Sequence, residues 1–261
     1  MNICVCVKQV PDTLDIRLDP TTNTLIRQGV ASIINPHDKH ALEAALQLKE
    51  QYGGNITVIS MGPLQAKEIL KDCLAMGADK AILVSDTAFV GSDTLATSYT
   101  LAYAIKKAGN FDIIICGSQS SDGDTAQVGP QLAEQLGIAQ ITWACSIKYD
   151  GAAFKVTRET EMGFEVIEAK LPLLVSVLKN MNIPRYPSVS NTIKAHRANI
   201  TVWTADDINI SCKKVGIKGS PTRVTRIFTP ERKGKNLIIQ KESAQEAVEL
   251  LLRKLTEERI F

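Results

Sequence analysis

The stretch 113–136, IIICGSQSSDGDTAQVGPQLAEQL, decides the fold class of this chain. It opens with four apolar residues, three of them β-branched, and this run predicts a buried strand. Val128, Leu132 and Leu136 then recur at helical spacing and predict a helix. A buried strand that leads through a polar loop into a helix is the repeating unit of a parallel sheet covered by helices.

The same unit is repeated toward the N-terminus. The predicted strands are 3–7, 56–60 and 81–84. The helix starts are predicted at Asn35-Pro36-His37-Asp38, Met61-Gly62-Pro63 and Gly91-Ser92-Asp93-Thr94, and the last of these helices is expected to bury Leu95, Tyr99 and Ala102. Residues 12–34 show weak alternation at Ile16, Leu18, Leu25 and Ile26, which favours a small hairpin. The predicted fold class is α/β, an open parallel sheet with helices on both faces.

The pattern changes after residue 138. Residues 139–178 indicate consecutive strands with a hairpin turn at 149–151, and a proline-rich loop follows at 183–187. We therefore expect an α/β domain with a strand-rich extension over 1–200, and a C-terminal arm over 201–261. Ser243 and Glu246 form a capping box that opens a terminal helix, which is expected to pack on a partner or back on the core.

Composition limits the function classes. Apolar residues make up 44% and charged residues 22% of the 261 residues, which excludes a disordered chain. A net charge of +2 and 5% aromatic residues argue against nucleic acid as a partner. No apolar run reaches the roughly 18 residues of a membrane span, and no export signal is visible. Six scattered cysteines without a CxxC pair are typical of reduced thiols, so we expect a cytoplasmic protein without a metal site.

Four loops are expected to meet at the carboxyl ends of the strands, where open parallel sheets bind their ligands: 8–12, 35–38, 60–63 and 117–125. The last has nine residues, whereas such turns usually have about two to six. Gly117 and Gly123 would let backbone amides turn inward, and a helix start adds further free amides. The sequence therefore favours a phosphate site, the alternative being an ordinary turn with a helix cap at Asp124.

Sequence motifs of catalysis are missing from the chain. It contains no Walker motif, GxGxxG, GxSxG or HExxH. Residues 91–94 could bind an anion or simply cap a helix, and His37 with His40 could bind a metal or lie in solvent. Residues 158–161 could hold carboxylates for proton transfer or form a solvated hairpin edge. The residues alone thus indicate a nucleotide-binding α/β domain with no stand-alone catalytic residues.

Several stretches together resemble the β (small) subunit of electron transfer flavoproteins. They are 5–12, 35–38, 117–130, 156–159 with 171–176, and 184–195, so the resemblance covers about residues 1–200. Ser120-Ser121 departs from the family pattern of Ala followed by a bulky aliphatic residue. Residues 93–98 and 122–127 resemble the electron-bifurcating, FixA-type group of the family.

This resemblance implies a heterodimer with an α subunit that carries the main redox FAD and on which the C-terminal arm packs. The β subunit of many members binds AMP, whereas that of the bifurcating group binds a second FAD; we expect FAD, with AMP as the alternative. NADH would give a hydride to that FAD. One electron would pass to a ferredoxin or flavodoxin, and the other to the α-subunit FAD and an acyl-CoA dehydrogenase/reductase-type partner.

The resemblance also implies the site residues. The cofactor-binding set comprises Val7 and Met61 through their backbones, Asn35, Asp38, Asp93, Thr94, Thr97, Gly117, Gln119, Asp122, Gly123, Asp124, Thr125, Gln127 and Val128. In the partner-binding set, Glu159 would lie near the α subunit's flavin domain, and Val189 would be the apolar anchor of a recognition loop. The alternative for Val189 is that it is an ordinary loop valine.

Two other function classes stay open at this point. One is a stress-type module of the same architecture that binds ATP or AMP as a homodimer. The other is a scaffold subunit whose nucleotide is purely structural.

Overall fold

A computed structural model describes residues 1–12, 31–225, 238–258 and 260. The chain divides into two units, Met1–Thr225 and Arg226–Phe261. The residues at which a small hairpin was predicted, Ile16, Leu18, Leu25 and Ile26, lie outside the described part.

The first unit is built on one large sheet and a two-stranded ribbon. Its strands are β1 (Asn2–Cys6), β2 (Gln9–Pro11), β3 (Ser32–Ile34), β4 (Asn55–Met61), β5 (Lys80–Val84), β6 (Ile113–Gly117), β7 (Ala139–Tyr149), β8 (Phe154–Thr160), β9 (Gly163–Ala169), β10 (Leu173–Val177) and β11 (Thr201–Trp203). Its helices are α1 (Pro36–Tyr52), α2 (Lys67–Met76), α3 (Thr94–Ala108), α4 (Val128–Leu136), α5 (Val189–Arg197) and the short α6 (Gly216–Gly219).

The large sheet has the strand order β11-β5-β4-β1-β6-β10-β7-β8-β9. Every neighbouring pair from β11 to β7 is parallel, and β8 and β9 continue the sheet in antiparallel fashion. The chain builds outward from β1 through β4 and β5, then returns to place β6 on the other side of β1. The carboxyl ends of β1 and β6 therefore form the switch point at which this class of sheet binds ligands.

Both faces of the parallel strands are apolar, as the sequence predicts. Ile3 and Val5 of β1 face α1 and α2, whereas Cys4 and Cys6 face α3 and α4. Burial raises the pKa of the neighbouring Cys116 thiol well above its ordinary value. Cys4, Cys6 and Cys116 are thus free thiols packed in two neighbouring buried strands, as expected for reduced cysteines.

The α3 helix begins after Asp93 as predicted, but its buried face is different. Leu95 is 38% exposed and Tyr99 is only partly buried, while Ala102 is buried with Leu101 and Ile105. Tyr99 packs against the ring of Tyr103, with centroids 4.8 Å apart, at the edge of the apolar face. The expectation that α3 buries Leu95 is therefore wrong.

The strand-rich extension forms where it was predicted. A turn over 150–153 joins β7 to β8, and the Asp150 carboxylate accepts hydrogen bonds from the amides of Ala152 and Ala153. Phe154 and Val156 of β8 are buried on the α1 side of the sheet. Phe164 and Val166 of β9 are about 70% exposed on the opposite side.

The sheet-bearing unit extends further than the predicted boundary at residue 200. β11 adds to the free edge of β5, and Ala205, Ile208 and Val215 are buried in the core on the α3 side. Residues 201–225 therefore belong to the first unit rather than to the arm. Such a short strand carries no periodicity of its own, so only its pairing with β5 identifies it.

In the second unit, α7 (Ala244–Glu257) begins at the predicted capping box. The Ser243 hydroxyl accepts a hydrogen bond from the Glu246 amide at 3.2 Å. Packing of this arm on an α subunit stays a prediction. Among the helices that the structure describes, none is both long and apolar enough to cross a membrane.

Candidate functional site

A buried carboxylate joins the loops that follow β1 and β6. Asp38, in the first turn of α1, accepts the Lys8 amide at 2.8 Å through one oxygen and the Gly117 amide at 3.0 Å through the other. Asp38 is only 6% exposed. Burial raises its pKa to about 7, although the hydrogen bonds to its charged form act in the opposite direction.

Asn35 fixes the backbone of the loop after β6. Its side-chain amide donates to the Gln119 carbonyl at 2.8 Å, and its side-chain oxygen accepts the Ser121 amide at 3.1 Å. Its own backbone amide donates to the Lys8 carbonyl at 2.9 Å. Three of the four predicted loops therefore meet at this point, and the side chain of Asn35 shapes the loop rather than capping α1.

The two glycines of this loop have other roles than the one predicted. The Gly117 amide is taken by Asp38, and the Gly123 amide points to the Ser120 carbonyl at 3.3 Å. A Cβ at Gly117 would lie 2.5 Å from an oxygen of Asp38 and 2.6 Å from the Cβ of His37. Gly117 is thus required for close packing against α1, and its amide does not turn toward a phosphate.

The inward turn is made instead by two residues with side chains. Asp124 and Ala126 have φ angles of 47° and 54°, in the left-handed region. Within the described residues, none of the amides from Thr125 to Gly129 has a hydrogen-bond partner. Successive free amides at alternating left- and right-handed residues form a concave anion-binding site, which the start of α4 reinforces. Because left-handed non-glycine residues are strained, their presence here points to function.

Lys8 also contacts this loop, which the sequence did not predict. Its ammonium group lies 2.6 Å from a carboxylate oxygen of Asp122 and 3.3 Å from the Ser120 hydroxyl. Burial alone would raise the pKa of Asp122, but the contact with Lys8 holds it below its ordinary value. The pairing of β1 with β6 brings Lys8 here, so no local sequence signal could have shown it.

The start of α3 adjoins the segment that carries the free amides. The Thr94 hydroxyl donates to the side-chain oxygen of Gln127 at 2.9 Å, which ties α3 to the free amides. The Asp93 carboxylate, in contrast, caps α3 through the Ala96 amide and binds Thr222. Thr97 follows one turn into α3, and its amide bonds to the Asp93 carbonyl.

The remaining predicted cofactor residues lie at strand or loop ends. The Val7 amide bonds to the Ile59 carbonyl at 3.0 Å, and Met61 ends the neighbouring strand β4. The Gln119 side chain donates to the Asp124 carboxylate at 2.9 Å, and Val128 begins α4. These positions surround the carboxyl ends of β4, β1 and β6; contact with a ligand stays a prediction for each of them.

The histidines make separate contacts. His37 Nδ1 lies 2.9 Å from the Ser118 hydroxyl, whereas His40 Nδ1 lies 3.0 Å from the side-chain oxygen of Asn182. Burial and the nearby Lys179 lower the pKa of His37. No group of three metal-ligating side chains occurs among the residues that the structure describes.

Comparison with protein families identifies the chain. The model of the electron transfer flavoprotein domain matches residues 22–208. The chain belongs to the electron transfer flavoprotein family. Over 258 residues it is 52% identical to the electron transfer flavoprotein subunit beta of Clostridium acetobutylicum, covering 99% of each chain.

Two further relatives carry other names. The chain is 47% identical over 262 residues to the caffeyl-CoA reductase-Etf complex subunit CarD of Acetobacterium woodii, covering both chains completely. It is 46% identical over 238 residues to protein FixA of Azorhizobium caulinodans, covering 88% of this chain and 85% of that one. The resemblance to the β subunit of this family, and to its FixA-type group, is thereby confirmed, as is the α/β fold class.

With the family known, the two predicted partner-binding residues can be placed. Glu159 of β8 accepts a hydrogen bond from the Asn180 side chain at 3.3 Å. Val189 is 78% exposed, but it is the first residue of α5 and not a loop residue, because Ser188 caps a helix through the Asn191 amide. The segment before α5 is fixed to α1 by Arg185, which bonds to the carboxylates of Glu43 and Glu50.

The donors at the switch point fit the adenine nucleotide that was expected from the sequence. The free amides over 125–129 can receive the oxygens of a phosphate, and the ammonium group of Lys8 lies over the same loop. Asn35 and Asp38 fix the backbone of that loop by hydrogen bonds to Gln119, Ser121 and Gly117. They can therefore shape the site without contacting the ligand.

Proposed function

We propose that this chain is the β subunit of a heterodimeric electron transfer flavoprotein that binds FAD through its ADP half. The observation that carries the proposal is the row of free amides over Thr125–Gly129, at the switch point of a parallel sheet. AMP would occupy the same amides with its single phosphate, and it is the alternative ligand.

The residues around the amides divide into two roles. Five residues around the free amides are partly or fully exposed and would contact the nucleotide: Thr94, Gln119, Asp122, Thr125 and Gln127. The buried Asn35 and Asp38, together with Gly117, which packs closely against α1, keep the loop in the shape that exposes its amides. The observed hydrogen bonds and burial support this division.

When bound, FAD would supply the redox chemistry, accepting a hydride from NADH and releasing electrons singly. The residues of this chain bind and orient it, and those at the cleft are amides, hydroxyls and hydrogen-bonded carboxylates. We infer that electrons pass to the FAD of the α subunit, and in the bifurcating mode also to a ferredoxin or flavodoxin. The similarity to proteins named FixA and CarD supports that mode.

Exposed apolar side chains support two protein partners. Met162, Phe164 and Val166 form a patch on the open edge of the sheet, which suits a permanent partner such as the α subunit. Ile183, Tyr186 and Val189 are each more than three-quarters exposed before and at the start of α5. They suit a transient partner of the acyl-CoA dehydrogenase or reductase type.

The test is to purify the chain with its α subunit, count FAD and AMP after denaturation, and record the absorbance spectrum before and after NADH. Two FAD per heterodimer that NADH bleaches would support the proposal. One FAD with one AMP would leave an electron carrier without bifurcation, and a homodimer with ATP and no flavin would refute the heterodimer.

Variants tie this count to the amide site. Asn35→Ala removes both side-chain bonds to the loop after β6 and should lower the nucleotide content severalfold. Asn182→Ala also removes two side-chain bonds, both to His40 of α1, and serves as the control. Equal nucleotide content in both variants would place the ligand elsewhere.

A further inference from the structure

The segment 215–222 packs against the start of α3. The Ser220 hydroxyl accepts the Asp93 amide at 2.8 Å, and the Gly216 amide donates to the Ser92 hydroxyl at 3.0 Å. Ser220 is 8% exposed and donates its own proton to the Gly216 carbonyl at 2.7 Å. The bonds from Asp93 to Ser220 and from Gly216 to Ser92 connect residues that are more than 120 positions apart in the chain.

Two glycines permit this close approach. Gly216 has a φ of 58°, and a Cβ there would lie 2.2 Å from the Ala88 carbonyl oxygen. Gly91 has a φ of 76°, and a Cβ there would lie 2.4 Å from Cγ1 of Ile217. Both glycines adopt a backbone conformation that other residues rarely tolerate, so the contact between the two segments is specified by the sequence.

The Asp93 carboxylate is engaged with this segment and not with the cleft. One oxygen accepts the Ala96 amide at 3.0 Å, and the other accepts the Thr222 amide at 3.1 Å and its hydroxyl at 2.8 Å. The next residue, Thr94, donates its hydroxyl to Gln127 at 2.9 Å. Hydrogen bonds therefore lead from Thr222 through the first turn of α3 to a residue of the free-amide row.

We propose that Asp93 and Thr222 form a latch that positions the first turn of α3 for the nucleotide, so that residues 215–222 are a working part of the nucleotide site. The inference rests on the proposed function, since it needs a nucleotide at the amides. Asp93 is a positioning residue in this account: it directs Thr94 toward Gln127 without contacting the ligand.

The test compares two threonines with matching bonds. Thr222→Val removes the hydroxyl that binds Asp93. Thr204→Val removes a hydroxyl that binds Asp207 at 2.8 Å. As in the Thr222–Asp93 pair, the backbone amide of the threonine bonds to the same carboxylate oxygen. Asp207 does not cap α3, so this variant serves as the control. The affinity for ADP is measured by titration calorimetry on the heterodimer, freed of bound nucleotide, for wild type and both variants.

We expect Thr222→Val to weaken ADP binding by about three- to tenfold, which corresponds to one hydrogen bond, and Thr204→Val to leave it unchanged. Thr222→Ser, which restores the hydroxyl, should return the affinity to that of wild type. Hydrogen exchange on the wild type gives a second readout without substitution: ADP should slow exchange at the amides of Asp93 and Thr222.

The outcomes separate the two proposals. Wild-type affinity in Thr222→Val together with unchanged exchange at Asp93 overturns the latch alone. Equal weakening in Thr222→Val and Thr204→Val also overturns it, because the effect would then be general destabilisation. Failure of the wild type to bind either ADP or FAD refutes the proposed function, and the latch with it.

Discussion

Two aspartates at helix starts, Asp38 of α1 and Asp93 before α3, hold main-chain amides on opposite faces of the sheet. We call these two sides the α1 wall and the α3 wall of the proposed nucleotide site. Asp38 is buried, and burial raises its pKa to about 7. Asp93 lies nearer solvent, where burial would raise its pKa but the hydrogen bonds from Ala96 and Thr222 hold it below its ordinary value. The same chemical group is therefore costly to ionise on the α1 wall and easily ionised on the α3 wall. We infer that the α1 wall sets the fold of the site and that the α3 wall adjusts it.

The largest expected effect separates the two walls by stability. Asp38→Ala leaves the amides of Lys8 and Gly117 without an acceptor, and we expect the free energy of unfolding in urea to fall by about 2–5 kcal/mol. Asp38→Asn keeps one acceptor oxygen and should lose less. A loss below about 1 kcal/mol in the alanine variant would show that the α1 wall does not depend on this carboxylate.

The second effect is the pH dependence of stability. Because Asp38 binds its proton more tightly in the folded than in the unfolded state, the free energy of unfolding should fall as pH rises from about 4 to 7, then level off. The fall attributable to Asp38 is at most about 4 kcal/mol, since each pKa unit corresponds to about 1.4 kcal/mol. It is measured as the difference between wild type and Asp38→Asn across this range. A difference that stays constant with pH contradicts the raised pKa.

A third effect tests the close packing on the α1 wall. Gly117→Ala would force a Cβ against Asp38 and the backbone of His37, and we expect a loss of about 1–3 kcal/mol together with weaker nucleotide binding. Gly123→Ala is the matched control in the same loop, because its Cβ meets only the Ser120 hydroxyl, at 3.3 Å. Calorimetric melting of both variants measures the difference, and equal losses would mean that the packing against α1 is not special.

The smallest effect belongs to the α3 wall. Asp93→Ala removes a helix cap, and we expect a loss of about 1 kcal/mol at neutral pH. Since the pKa of Asp93 is lowered on folding, its contribution is fully present above the unfolded-state pKa and is lost progressively as pH falls toward and through the folded-state pKa, opposite in sign to that of Asp38. Urea melts at pH 7 and pH 3 measure this. If the stability loss caused by Asp93→Ala were larger at pH 3 than at pH 7, the lowered pKa of Asp93 would be contradicted.

Local signals predicted much of this architecture. The apolar run at 113–116 and the strand β6 differ by one residue, and α4 spans Val128–Leu136 as the helical spacing of its apolar residues predicts. Asn35 and Pro36 mark the start of α1, and Ser243 marks the start of α7. Each of these signals acts within one turn or one strand, so the sequence displays it directly.

Features that depend on distant pairing could not be predicted in the same way. β11 becomes a strand because β5 offers a free edge, and Lys8 reaches Asp122 because β1 pairs with β6. The assignment of Asp93 to the ligand failed to anticipate Thr222, which lies far along the chain. The sequence motifs predicted that Asp93 and Asp122 lie at the carboxyl end of the sheet. The hydrogen-bond partner of each carboxylate, however, depends on tertiary packing.

The free amides over Thr125–Gly129 also affect how nucleotide binding should be measured. Sulfate or inorganic phosphate in a purification buffer would compete for them, so that an apparent dissociation constant for ADP would rise with the concentration of those salts. Chloride or acetate buffers avoid this interference, and a crystal grown from ammonium sulfate should carry a tetrahedral anion at the beginning of α4.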